Sequence, residues 1–147
     1  MPQVDFYVTG ATADDARLLL ACRVTEKAYL AGMRVLVWCP PDEDRARFDE
    51  LLWTFSDRSF VPHEAPGAPG GADPAPVALS GGIEPSEVPD IVVNLAADIP
   101  PIALRAARVA EFIDGDAARR AQGRARFRQY REQGLAPVTH QQGGASL

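Results

Sequence analysis

The stretch RVLVWCP at residues 34–40 is apolar at nearly every position, so a strand built from it has no face to turn toward water. A half-buried antiparallel strand alternates apolar and polar residues, whereas a near-continuous apolar run marks a strand covered on both faces of a parallel sheet. Parallel neighbours need long crossover connections, and helices usually supply them. The flanking segments have that character. VDFYVTG (4–10) reads as a strand ending in a glycine turn, and TADD (12–15) offers a Thr cap with an acid three residues on, a helix start. Leu20, Val24 and Ala28 then recur at spacings of four, which predicts a helix to Ala31 that stops at Gly32. Pro40 and Pro41 precede an acidic first turn, Asp42 to Asp44, and open a second helix. In it Phe48, Leu51, Leu52 and Phe55 follow the i, i+3, i+4, i+7 rule and should face the core.

Residues 61–76, VPHEAPGAPGGADPAP, hold five Pro and three Gly and predict a long surface loop. PVALS (76–80) and DIVVNLA (90–96) read as strands, PPIALRAA (100–107) as a short helix, RVAEFID (108–114) as the last strand, and 116–133 as a closing helix. Interleaved strands and helices argue for an α/β fold: one three-layer domain over residues 1–134, with a mostly parallel or mixed sheet and helices on both faces. A length of 147 residues at 46% hydrophobic content suits one core of this kind. Residues 135–147, ending HQQGGASL, have the composition of a flexible tail.

Several function classes find no support in the chain. VTGATADDARLL has only Gly10 where a dinucleotide fingerprint needs three glycines, and no G-x-x-x-x-G-K-[ST] occurs anywhere. His63 and His140 lack the neighbours of a metal site, and Cys22 and Cys39 are too few and too badly spaced for zinc or a disulfide framework. They read as buried thiols. No catalytic residue, metal or cofactor is therefore expected. No apolar run reaches the roughly 20 residues that span a bilayer, and MPQVDFYV enters a strand pattern without signal-peptide character, so the expected location is the cytoplasm, with no membrane partner.

Charge is concentrated at one end. Residues 1–104 hold 7 Lys and Arg against 16 Asp and Glu, net −9, while residues 105–147 hold 8 Arg against 4 acids, net +4. RRAQGRARFRQYREQG (119–134) carries six of those arginines. On a helical wheel with Arg120 at zero, Arg131 falls at about +20°, Arg124 at about +40°, Arg128 at about +80°, Phe127 at about −20° and Gly134 near −40°. Ala118, Ala121 and Ala125 lie opposite and would pack on the domain, turning the basic face outward. Guanidiniums around an aromatic ring suit a ligand that combines carboxylates with a hydrophobic group, since Arg pairs bidentately with carboxylate and stacks on rings. Trp53 leaves the core stripe of the second helix by about 140° and reads either as a ring lying on a neighbouring loop or as an exposed anchor for another protein.

FYV at the start, GMRVLVWCPPDEDRARFDELLW (32–53), SFVPHE (59–64), DIVVNLA (90–96) and RARFRQYREQG (124–134) resemble, in order, the landmarks of the chi subunit of the bacterial DNA polymerase III holoenzyme. The resemblance covers nearly the whole chain. It implies a Rossmann-like domain without enzymatic activity, an accessory of the clamp loader. It further implies two partners: the psi subunit, and the acidic, Phe-terminated C-terminal tail of single-stranded DNA-binding protein, so that DNA is met only indirectly. By the same resemblance the tail site maps to Arg124, Phe127, Arg128 and Gly134, with Tyr130 and Arg131 nearby, and Arg120 joins them on the wheel; the psi interface maps to Trp53, Phe60, Val61 and Pro62. The competing reading is direct nucleic-acid binding by the basic helix, which would weaken steeply with salt.

Overall fold

The alternating signals are realised as one open, seven-stranded sheet in the computed structural model of the protein, which describes residues 2–13, 15–39, 43–55, 63–64, 77–80 and 84–142. The strands are β1 (Gln3–Thr9), β2 (Val35–Trp38), β3 (His63–Glu64), β4 (Val77–Ser80), β5 (Ile91–Asn94), β6 (Arg108–Ile113) and β7 (Val138–Gln142). Their order is β3-β4-β2-β5-β6-β1-β7, and each pairing is parallel. Helices α1 (Ala16–Leu30), α2 (Glu43–Thr54) and α3 (Ala117–Glu132) and a 3-10 turn (Pro101–Leu104) lie between them.

From β1 the chain travels one way along the sheet through α1 and α2, then returns through the turn and α3 to β7. Right-handed crossovers put outgoing and returning helices on opposite faces. Two packing clusters record this outcome. Leu20, Cys22, Phe48 and Leu52 of α1 and α2 pack with Val35, Val37, Val93 and Phe112, while Ile102, Ala103 and Tyr130 pack with Val4, Phe6, Leu36, Val92 and Val109. Val35 and Val37 thus face one layer and Leu36 the other, which is why RVLVWCP shows no alternation. Phe55 lies against the first cluster as its spacing predicted, and Cys22 and Cys39 are buried free thiols. Burial, aided by the charge of Asp15, pushes the Cys22 thiol up to about 12. No helix among the described residues is long and apolar enough to cross a membrane.

The structure corrects four expectations. RVAEFID forms β6 but is not the last strand, because Val138–Gln142 follow it as β7; in the sheet β6 lies between β5 and β1. Part of the expected flexible tail is ordered: Val138–Gln142 form β7, paired with β1 from Asp5↔Val138 to Thr9↔Gln142, while residues 143–147 lie outside the described residues. An edge strand with one neighbour needs little apolar content, so the polar THQQ gave no strand signal. The proline-rich segment contains β3, a two-residue edge strand, and the rest of that loop lies outside the described residues. Finally, α1 starts at Ala16, not at a Thr12 cap. Asp15 occupies the cap position without bonding the helix, because its carboxylate takes three bonds of 2.6, 3.1 and 3.2 Å from Arg47 of α2. That bond set ties α1 to α2.

In the middle of β6, Glu111 is fully buried. Arg126 of α3 donates to it through Nε at 2.9 Å, Tyr130 through its hydroxyl at 2.7 Å, and Asn94 of β5, its register partner, through Nδ2 at 2.9 Å. Arg126 also donates to the Ala97 carbonyl at 3.0 Å. Burial pushes the Glu111 carboxyl above the usual carboxylate range, and the Arg126 charge together with the three donors opposes that push. Burial and the Glu111 charge likewise raise the Tyr130 phenol. Replacing Glu111 by Ala strands a buried guanidinium and should cost about 3–5 kcal/mol in urea unfolding. Tyr130→Phe removes one bond to a charged acceptor and should cost about 1.5–3 kcal/mol.

Candidate functional site

The basic segment forms α3 as the wheel predicts, with both ends fixed by local chemistry. Asp116 caps the start, its carboxylate accepting from the Arg119 N–H at 2.9 Å. At the other end Gly134 adopts φ +85°, with Gly134 N–H bonded to the Arg131 carbonyl at 3.0 Å and Leu135 N–H to the Tyr130 carbonyl at 3.1 Å. This is a Schellman termination, in which glycine meets no steric cost at positive φ. Gly32 closes α1 in the same way, at φ +82° with Met33 N–H bonded to the Ala28 carbonyl at 3.0 Å.

The packing face of α3 differs from the expected alanines. Ala118 and Ala121 are exposed and Ala125 is half-buried, whereas Gly123, Arg126 and Tyr130 are buried. A Cβ on Gly123 would overlap the Ile113 side chain, well inside van der Waals contact, so the absence of a side chain is what lets α3 approach β6. The wheel does not single out Arg126, because Glu111, its partner, lies on another element. The buried stripe centres near −80° on the same wheel, so the arc from Phe127 and Arg120 through Arg124 forms a flank beside the sheet, not the outermost face.

That flank and β7 enclose a pocket of about 200 Å³. Phe6, Val8 and Ile113 line it from the sheet, Arg120, Gly123, Arg124 and Phe127 from α3, and Thr139 from β7. The Phe127 ring rests against Phe6, centroids 5.2 Å apart and tilted 58°, and Phe6 meets Tyr130 edge-on at 5.9 Å. The wall is therefore held by the core. Among the described residues Arg120, Arg124, Arg128 and Arg131 make no ion pair. Exposed cations beside an apolar cavity can receive a group that presents carboxylate and ring together.

Of the residues expected at the site, Arg120, Arg124 and Phe127 meet in this pocket, and Arg128 and Arg131 are exposed on the same helix without lining it. Gly134 lies just past the helix end. Tyr130 is the correction: at 0% exposure it offers no surface, and its hydroxyl is committed to Glu111. Phe6, Val8, Ile113 and Thr139 were not foreseen, because each reaches the pocket from a strand distant in sequence. At the other proposed surface Trp53 is 42% exposed on α2, while Phe60, Val61 and Pro62 lie outside the described residues.

A larger cleft of about 390 Å³ opens at the carboxyl ends of β5 and β6, lined by Arg17, Asn94, Arg119, Gln122 and Arg126 among others. Its cations are engaged within the protein. Arg126 holds Glu111, Arg119 takes Asp114 bidentately at 2.7–3.1 Å, and buried Arg17 donates to the Leu95 carbonyl at 3.3 Å. A Cβ on Gly10 would meet no protein atom within 4 Å, so the packing of the protein itself does not require glycine there. No group of three His, Cys, Asp or Glu suited to a metal occurs among the described residues.

Asp114 is buried, yet its carboxyl stays below the usual range: burial opposes ionisation, but the Arg119 bonds, the Asp116 N–H and the Arg119 and Arg17 charges outweigh it. A carboxylate with a depressed folded pKa contributes stability above its unfolded value, about 3.9, and loses it as pH falls through the folded value. Asp114→Asn should therefore be less stable than wild type at pH 7, with the gap in urea midpoint closing as pH drops below about 4.

The sequence model of the family described as DNA polymerase III chi subunit, HolC, matches residues 1–138. The chain is 39% identical over 140 residues to the DNA polymerase III subunit chi of Pseudomonas aeruginosa, covering 95% of this chain and 96% of that one. It is 29% identical over 132 residues to the subunit of the same name from Escherichia coli, covering 89% and 87%, and 29% identical over 116 residues to that of Haemophilus influenzae, covering 78% and 80%. The chain belongs to the DNA polymerase III chi subunit family.

Proposed function

We propose that this replication accessory subunit is a non-catalytic adaptor that works in the cytoplasm, binding the acidic, Phe-terminated tail of single-stranded DNA-binding protein in the groove between α3 and β7. One observation carries the reading: the apolar floor of Phe6, Val8 and Ile113 adjoins Arg120 and Arg124, so a single pocket offers both halves of what such a tail presents. Burying the terminal ring contributes about 1.5–3 kcal/mol, and each charge-assisted bond from an arginine about 1.5–3 kcal/mol. After the cost of association this corresponds to micromolar affinity. Phe127, held by Phe6, does not have to be ordered on binding, which limits that cost.

The psi subunit is the second proposed partner, through α2 around exposed Trp53. The ring stands on a different helix from the arginines, so one chain could hold both partners and join the clamp loader to coated template. Direct nucleic-acid binding by α3 is less favoured, because residues 1–104 carry net −9 and offer no second basic track for a phosphate backbone.

Fluorescence polarisation with a labelled acidic peptide ending in Phe tests the tail site. Micromolar binding is expected, lost when the final Phe is deleted, and equal binding of both peptides would sink the pocket assignment. Arg124→Ala should weaken binding about 10- to 150-fold, the loss of one charge-assisted bond, and Arg128→Ala by a smaller factor because it does not line the pocket. Trp53→Ala should leave peptide binding intact while abolishing co-purification with psi. Strong, salt-sensitive binding of an oligonucleotide by the chain alone would favour the nucleic-acid reading instead.

A further inference from the structure

Thr139 reaches the pocket from β7, an edge strand whose only neighbour among the described residues is β1. Successive residues on a strand point to opposite faces, so with Thr139 on the side of α3, His140 turns to the side of α1. There His140 Nε2 lies 2.9 Å from Asp5 Oδ1 of β1. A carboxylate can only accept, so Nε2 carries the proton. The imidazole stacks on Tyr7 at 5.0 Å and 19°, and Tyr7 in turn stacks on Phe112 of β6 at 5.6 Å and 17°. Asp5 is 5% exposed and also meets Arg108 at 3.7 Å and Gln3 at 3.4 Å. A carboxylate so buried needs its donors. Beyond its backbone ladder with β1, β7 gains little side-chain packing elsewhere, since Val138, Thr139 and Gln141 are all exposed.

We infer that Asp5 and His140 clasp β7 from the far face of the sheet and are positioning residues for the tail pocket. They touch no ligand, yet they fix the strand that carries Thr139 opposite α3. Release of the clasp frees β7 to fray, and the wall facing Arg120 and Arg124 is lost with it. The inference rests on the tail-binding reading above.

The test pairs peptide titration with amide hydrogen exchange on the full chain. His140→Ala should weaken binding of the Phe-terminated peptide about 2- to 10-fold, the range expected for one lost hydrogen bond, and should speed exchange of the β7 amides while β5 keeps its protection. His140→Gln, which retains an N–H donor, should recover part of the affinity, whereas His140→Phe, which keeps only the ring stack, should not. In wild type, saturating peptide should slow β7 exchange, a response that a merely structural clasp would not give. Equal affinities of wild type and His140→Ala, or β7 exchange indifferent to peptide, would overturn the inference while leaving the tail reading in place. Failure of wild type to bind the peptide would overturn the tail reading and this inference together.

Discussion

The buried contact between Glu111 and Arg126 sets where α3 lies, and the candidate site follows from that placement. Two charges taken out of water lose most of their attraction to desolvation, so the pair does more to fix one docking geometry than to raise net stability. Three features make the geometry unique. Asn94 and Tyr130 both donate to the Glu111 Oε2, Ala97 accepts from the guanidinium, and Gly123 allows the close approach that brings the groups together. With the helix pinned along this line, Phe127 is pressed on Phe6, and Arg120 and Arg124 stand beside the sheet, not on the outermost face.

The two concavities beside α3 differ in how their charge is disposed. In the larger one, at the carboxyl ends of the strands, the arginines are bound to carboxylates or a carbonyl of the protein and act as internal ties. In the smaller one the arginines make no ion pair among the described residues, and the floor is apolar. A ligand arriving at the first would have to break existing bonds, whereas one arriving at the second meets exposed cations. Size alone would favour the first, and the state of the charges is what distinguishes the two. The parallel α/β frame would by itself point to its carboxyl-end crevice, but the site proposed for this family member lies at the flank of a helix on the returning path of the chain.

How much could be read from the residues alone depends on whether a feature is local. The doubly covered strands, the helix stripes of Phe48, Leu51, Leu52 and Phe55, the glycine stop at Gly32 and the buried thiols are decided by neighbours in sequence or by composition, and all were legible. So was the outward turn of Trp53, which needs only the helical period. The misplaced features each depend on a distant partner. Arg126 does not stand out without Glu111, Tyr130 looks available without the same carboxylate, Asp15 looks like part of a cap without Arg47, and the polar THQQ segment looks disordered without β1 to pair with.

The sequence by itself determined the layered α/β class, the concentration of positive charge on one helix and the family, because hydrophobic period, charge and motif order are properties of the chain taken in line. Only the tertiary structure decided which flank of that helix faces the sheet, that β7 supplies the opposite wall, and which arginines are already engaged. Those outcomes follow from a buried carboxylate choosing its donors across the sheet, a choice made between residues about fifteen or more positions apart and invisible to any local pattern.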